Sequence, residues 1–133
     1  MVKKILAVDD ELPMLKCYEV ILKPRGYEVI VTTNPMSVAQ LLKEHQFDLV
    51  ILDVCMPEKG GIEVFQELKR SCPQTAVLFA TGYQKSFAMG TEENAEMWQN
   101  EFADGNTDIL YKPFNVDILY NKVEGLIGPA QDE

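Results

Sequence analysis

The chain has little of what several classes of site require. It contains one histidine, His45, and three widely spaced cysteines, with no CxxC pair and no Cys/His cluster. A zinc site, a disulfide framework and a redox pair are therefore disfavoured, and we expect Cys17, Cys55 and Cys72 to be reduced and mostly buried. His45 lies in the polar stretch KEHQ, where an ordinary helix-end residue is favoured over a catalytic or phosphate-accepting one.

Basic residues and long apolar runs are also scarce. The chain has 12 Lys and Arg against 21 Asp and Glu, a formal net charge of -9, and its basic residues are scattered. We therefore expect no direct binding of nucleic acid. No apolar run reaches the roughly 18 residues of a membrane span, and the run after MVKK is short and lacks a cleavage site. These features favour a cytoplasmic protein without membrane contact.

What is present is the composition of an ordinary globular domain. Hydrophobic residues make up 47% and charged residues 25% of 133 residues, which suits one domain with a real core. We expect this domain to span residues 1–128, and residues 129–133 to form a frayed tail.

Short apolar runs alternate with segments of helical period. Strands are predicted at KKILAV, YEVIVTT, FDLVILD, TAVLFAT and TDILYK. Helices are predicted from Pro13, from Pro35 with Asn34 as its N-cap, over IEVFQELKR, and after the cap Asn115. This alternation indicates βαβ units and a parallel sheet with helices on both faces. The predicted fold class is α/β, a doubly wound five-stranded parallel sheet in the flavodoxin-like order 2-1-3-4-5.

Polar residues stand where four of these strands end. Asp9 and Asp10 end the first strand, Asp53 the third, Thr81 the fourth and Lys112 the fifth. In the predicted order these strands are neighbours, and ligands bind at the edge their carboxyl ends share. Three carboxylates there repel each other, and a hard cation such as Mg²⁺ offsets that repulsion. We predict a Mg²⁺ site in which Thr81 and Lys112 can hold phosphoryl oxygens.

Each of these residues also has an ordinary structural interpretation. Asp9 or Asp10 can cap the next helix. Asp53 can be a loop acid, Thr81 a turn residue and Lys112 a solvated side chain. Their joint placement on four strand ends favours one shared site.

With these residues in place, the chain resembles the response-regulator receiver domains of two-component signalling. The matching stretches are ILAVDDE, DLVILDVCMPEKGG, AVLFATG and GNTDILYKPF, and the resemblance covers residues 3 to 127. It implies a fold like that of chemotaxis regulators. It also implies a phosphoacceptor domain that takes a phosphoryl group from a sensor histidine kinase or a histidine phosphotransfer protein and switches its output surface.

The resemblance implies a role for each site residue. Asp53 is the phosphoacceptor; Asp10, Asp53 and the backbone carbonyl of Cys55 ligate Mg²⁺, and Asp9 acts through a metal-bound water. Thr81 and Lys112 contact the phosphoryl group. The implied switch and loop residues are Tyr83, Met56, Pro57, Ile109, Tyr111 and Pro113, the last following a cis peptide bond in typical members.

Two features depart from the family pattern. An aromatic residue usually stands three positions before the lysine of the fifth strand, where this chain has Ile109. Tyr111 points the same way from the strand but lies nearer the site. The usual coupling between Thr81 and an aromatic side chain at position 109 is therefore not predicted for this chain. The segment over residues 82–107 is longer than usual, and we expect a helix within it.

Two classes of function stay open. A phosphorylation-switched signalling module, not an enzyme, is favoured. Its output face would combine the helix expected in residues 82–107, the last strand and the last helix. The same face is a candidate surface for a homodimer. The alternative is a Mg²⁺-dependent phosphohydrolase using the same aspartate, but the chain has neither a DxDx[TV] motif nor a Gly-rich phosphate loop. The sequence names neither the cognate kinase nor the output partner or effector domain.

Overall fold

Strands and helices alternate through the computed structural model, which describes residues 2–53, 61–82 and 105–131. In chain order the elements are β1 (Lys4–Val8), α1 (Leu12–Leu22), β2 (Glu28–Thr32), α2 (Val38–Glu44), β3 (Leu49–Asp53), α3 (Gly61–Ser71), β4 (Ala76–Gly82), β5 (Thr107–Lys112) and α4 (Val116–Ile127). None of the helices in these ranges is long and apolar enough to cross a membrane.

The five strands form one parallel sheet in the order β2-β1-β3-β4-β5. The predicted fold class and strand order are therefore confirmed. The central strand β3 is buried at every position, as expected of a strand covered by helices on both faces. Because all the strands run the same way, their carboxyl ends lie at one edge of the sheet.

The core has two layers, and the alternation of side chains decides which layer each strand residue enters. In β1, Ala7 belongs to the cluster packed by α1 and α4, whereas Val8 belongs to the cluster packed by α2 and α3. Asp9 continues the row of Ala7, and Asp53 continues the row of Ile51, which also belongs to the first cluster. Both carboxylates therefore point to the side of the sheet that α1 and α4 cover.

Both predicted Asn caps are present, but the first turns that follow them differ. Asn115 caps α4 as predicted, because its side-chain oxygen accepts the backbone N–H of Ile118 at 2.8 Å. The helix predicted after Asn34–Pro35 instead opens with a 3-10 turn over Pro35–Ser37, and α2 follows it. Asn34 caps this turn as predicted, because its side-chain oxygen accepts the backbone N–H of Met36 at 3.0 Å.

The described part of the C-terminal tail pairs with the start of the chain. Gln131 forms an antiparallel bridge with Val2. The backbone N–H of Lys3 donates to the carbonyl of Ala130 at 2.9 Å, and Ala130 is buried. Backbone pairing and one small apolar side chain thus hold this part of the tail.

The cysteines are less buried than we expected. Cys17 is exposed and Cys72 is half-buried, and both are free thiols. Cys17 lies beside Tyr18 on α1, but only Tyr18 lies on the buried face of that helix. Cys55 lies outside the described residues.

Candidate functional site

Three carboxylates meet where β1 and β3 end. Asp9 and Asp53 are buried, with 0% and 1% of their surface exposed, whereas Asp10 is exposed. One oxygen from each side chain lies within 4.8 Å of the other two. Negative charges at this spacing repel each other and favour the binding of a cation. The predicted convergence of these acids is present in the structure.

Lys112 brings a positive charge to the same point from the end of β5. Its Nζ donates to Asp9 Oδ2 at 2.7 Å and lies 3.9 Å from Asp53 Oδ1. The lysine side chain is only 15% exposed, so water screens these pairs weakly. One ammonium and three carboxylates leave this group of four residues with excess negative charge.

Asp9 also supports the start of α1. Its Oδ1 accepts the backbone N–H of Glu11 at 2.9 Å. Glu11 occupies the N-cap position of α1 and makes no side-chain capping bond itself. Asp9 thus accepts a bond from the N-cap residue and is not itself the cap, and its second oxygen pairs with Lys112.

Thr81 lies fully buried near the end of β4, in register with Tyr111 of β5. Its hydroxyl donates to the carbonyl of Gly82 at 3.1 Å. Tyr111 is 42% exposed, whereas Ile109 packs against the cluster formed with α2 and α3. Position 109, where the family pattern has an aromatic residue, is therefore more buried than position 111, where this chain has its tyrosine.

The structure describes the turn after β5 but not the loops after β3 and β4. The peptide bond between Lys112 and Pro113 is cis, as the resemblance implied. The predicted site residues Cys55, Met56, Pro57 and Tyr83 lie outside the described residues, as do residues 83–104, where a helix was expected.

Tyr18 is a neighbour of the site that sequence reasoning missed. It is fully buried on the inner face of α1. Burial raises the pKa of its hydroxyl above the usual value, and the charges of Asp9 and Asp53 raise that pKa further. The available signal was a single hydroxyl on a helix face otherwise made of aliphatic residues.

Comparison with known proteins agrees with this geometry. The family model described as "Response regulator receiver domain" matches residues 5–124. The chain is 31% identical over 125 residues to the transcriptional regulatory protein CrdR of Helicobacter pylori, a match that covers 93% of this chain and 54% of CrdR. The chain thus spans about half the length of that relative.

Solved structures share the fold over nearly the whole chain. Chemotaxis protein CheY4 of Vibrio cholerae superposes with a TM-score of 0.75 at 27% identity, covering 95% of this chain and 99% of that one. Response regulator TrrA of Thermotoga maritima, solved in complex with Mg²⁺ and beryllium fluoride, gives 0.75 at 28% identity, covering 93% and 98%. The family match, the strand order and the acids at the sheet edge agree, and the chain belongs to the response regulator receiver domain family of two-component signalling.

Proposed function

We propose that Asp53 is the phosphoacceptor of this receiver domain and that it takes its phosphoryl group from a phosphohistidine. The observation that carries the proposal is the buried carboxylate of Asp53, grouped within 4.8 Å with Asp9 and Asp10 and 3.9 Å from the ammonium of Lys112. In the transfer, an Asp53 oxygen forms a bond to phosphorus while the bond from phosphorus to the histidine nitrogen breaks.

The acidic group fits Mg²⁺ because it offers oxygen ligands alone, and because the exposed side chain of Asp10 gives an ion access from solvent. Asp10 and Asp53 would ligate the ion directly, with the backbone carbonyl of Cys55, and Asp9 would act through a water. The Mg²⁺–beryllium fluoride complex of TrrA supports this proposal for a related chain. When bound, the ion neutralises negative charge between the carboxylate and an approaching phosphoryl group.

Lys112 and Thr81 are proposed to hold the phosphoryl oxygens. The ammonium of Lys112 already lies between Asp9 and Asp53, so a small movement directs it to an oxygen attached at Asp53. The hydroxyl of Thr81 donates to the carbonyl of Gly82 and would exchange that acceptor for a phosphoryl oxygen. Both groups stabilise charge where it develops during transfer.

The partners follow from the family. Receiver domains are phosphorylated by histidine kinases or phosphotransfer proteins, and we propose a partner of this kind in the cytoplasm for this chain. We propose that output proceeds through the face of β5 and α4, by an effector or a second copy. Exposed apolar side chains there support this surface: Tyr111, Val116 and Ile118 are 42%, 47% and 45% exposed.

The proposal is tested by labelling with acetyl phosphate. Intact-mass spectrometry should show one phosphate per chain in Mg²⁺ and none in EDTA. Asp53→Asn should abolish labelling. Asp48→Asn is the matched control, because Asp48 precedes β3 at the opposite end of the strand, where it binds the backbone of Lys4.

Labelling that persists in Asp53→Asn would overturn the assignment of the phosphoacceptor. Release of many equivalents of inorganic phosphate per chain, without lasting label, would favour the phosphohydrolase alternative. A single stoichiometric label supports the signalling module.

A further inference from the structure

The hydroxyl of Tyr18 stands out among the buried polar groups. Tyr18 is fully buried between Leu15 and Leu22 on the inner face of α1, and its hydroxyl has no hydrogen-bond partner among the described residues. Tyr27 is also buried, but its hydroxyl donates to the carbonyl of Gly128 at 2.6 Å. Buried polar groups are usually paired, so an unpaired hydroxyl calls for a physical explanation.

The Tyr18 side chain is directed toward the acidic edge of the sheet. Side chains on an α-helix lean back toward its N-terminus, and α1 begins at Leu12, three residues after Asp9. Asp9 and Asp53 project to the face that α1 covers. Their charges act on the Tyr18 hydroxyl and, together with its burial, keep it protonated. The hydroxyl is therefore a hydrogen-bond donor in the same core layer toward which the two buried carboxylates project.

The ring of Tyr18 is held by the turn that carries Lys112. It stacks on Phe114 with ring centroids 5.9 Å apart and planes 9° from parallel. Phe114 follows Lys112 and Pro113, so the ring lies against the same short segment as the ammonium. The Tyr18 ring and the Lys112 ammonium are thus both tied to the turn after β5, and of these two donors Lys112 is the one that pairs with Asp9 in this structure.

We propose that Tyr18 is a positioning residue whose hydroxyl donates to Asp9 when Lys112 leaves Asp9 for a phosphoryl oxygen. The proposal rests on the role proposed above for Lys112. Asp9 is fully buried, and a buried carboxylate that loses its cation needs another donor. A neutral hydroxyl fills this need without cancelling the negative charge that holds the metal.

The first test uses Tyr18→Phe, which removes the hydroxyl and keeps the ring on Phe114. Without ligand, the urea midpoint should stay the same or rise, because an unpaired buried hydroxyl is lost. Mg²⁺ affinity should stay within about twofold. Affinity for beryllium fluoride in saturating Mg²⁺ should fall about tenfold, because a hydrogen bond to a charged group is lost in that state alone.

Tyr27→Phe is the matched control, since it removes a hydroxyl that is paired at the other end of the same core layer. It should lower the urea midpoint and leave both affinities unchanged. A Tyr18→Phe protein that binds beryllium fluoride like the wild type would overturn the proposal. If Tyr18→Phe lowers the affinity for Mg²⁺ alone as much as the affinity for beryllium fluoride, the exchange is also overturned.

A second test needs no phosphoryl mimic. In a Lys112→Met background, Asp9 has already lost its ammonium partner. The Tyr18 hydroxyl should therefore donate a hydrogen bond to Asp9 even without a ligand. Adding Tyr18→Phe there should lower the urea midpoint, whereas in the wild type it should not. If Tyr18→Phe fails to lower the urea midpoint in the Lys112→Met background, the exchange is refuted. If the wild type itself fails to bind beryllium fluoride, the proposed function fails, and this comparison still decides the role of Tyr18.

Discussion

Asp9 is the residue on which the charge balance of the site depends. It is fully buried, and its two oxygens accept the backbone N–H of Glu11 and the ammonium of Lys112. Breaking a buried ion pair from one side leaves an uncompensated charge, which costs far more than losing an exposed pair. The stability of the ligand-free domain should therefore depend on Lys112.

Replacing Lys112 with Met keeps much of the side-chain stem and removes the charge. We expect the free energy of unfolding without metal to fall by about 3 kcal/mol, because Asp9 and Asp53 lose the ammonium that pairs with them. Millimolar Mg²⁺ should restore part of this loss. Urea denaturation with and without Mg²⁺ measures both effects.

The matched control is Lys122→Met. Lys122 pairs with Asp108 at 3.1 Å, but the two side chains are 35% and 44% exposed. Its loss should cost less than about 1 kcal/mol, with no response to Mg²⁺. Equal losses in the two variants would mean that the site lysine acts as an ordinary surface charge.

The sequence predicted part of this site well and part not at all. Asp9, Asp53 and Lys112 could be placed together because each ends a strand, and strand order with two-residue alternation then fixes their face. Tyr18 could be assigned only to the buried side of α1. Its relation to the acids depends on the turn that brings Phe114 against its ring, and no local pattern encodes that contact.

At the scale of secondary-structure elements, α4 sets the position of the turn that follows β5. The helix begins at Val116, four residues after Lys112, and Asn115 fixes its first turn by accepting the N–H of Ile118. A shift of this helix start would also move the segment that carries the lysine and Phe114. The cap thus links helix stability to the geometry of the site.

Asn115→Ala should lower the free energy of unfolding by about 1 kcal/mol, because the N–H of Ile118 loses its side-chain acceptor. Asn121→Ala makes the same substitution at an exposed position inside α4. There, alanine should be neutral or stabilising by a few tenths of a kcal/mol, since it is the better helix former. Urea denaturation compares the two, and equal effects would contradict a capping role for Asn115.

Helix caps show where sequence reasoning about elements stops. An Asn before a helical pattern predicts a helix start, and it does so correctly at both Asn34 and Asn115. At Asn34 the same signal opens a 3-10 turn, because Ser37 also donates to the carbonyl of Asn34, at 2.7 Å, and tightens the turn. The two outcomes depend on competing local hydrogen bonds that the hydrophobic period does not reveal.

At the scale of the whole molecule, the dominant electrostatic feature is excess negative charge. The formal net charge of the chain is -9, and two of its carboxylates, Asp9 and Asp53, are buried together at the carboxyl edge of the sheet. Self-repulsion of this kind destabilises a compact state, and a cation bound only by the folded chain offsets it.

We expect Mg²⁺ at ten times its dissociation constant to raise the melting temperature by about 4 °C, since such binding adds about 1.4 kcal/mol to the free energy of unfolding. NaCl at equal ionic strength should raise it less. Asp10→Asn should abolish the Mg²⁺ effect and leave the ligand-free protein as stable as before or more so. Differential scanning calorimetry measures each shift.

Glu28→Gln is the control for this measurement, because it removes one negative charge at the start of β2, away from the acidic edge. It should keep the full response to Mg²⁺. A ligand-free Asp10→Asn protein that melts well below the wild type would show that Asp10 has a structural role instead.

The architecture of the whole chain was predictable because its signal is repeated. Five apolar runs alternate with helical periods, and this alternation leaves few topologies to consider. The bound tail was not predictable, because it is held by backbone bonds from Lys3 to Ala130 and between Val2 and Gln131. Such bonds leave no pattern in the side chains.

The bound tail also has a topological consequence. Because Val2 and Gln131 are paired, the two ends of the described chain lie side by side at the edge of the sheet away from the acids. A linker of a few residues could therefore join them, and the backbone could be opened in a surface turn such as the one around Gly26. We expect this circular permutation to leave the acidic edge intact, since the bonds described at that edge join Asp9 to Glu11 and Lys112 to Asp9 and Asp53.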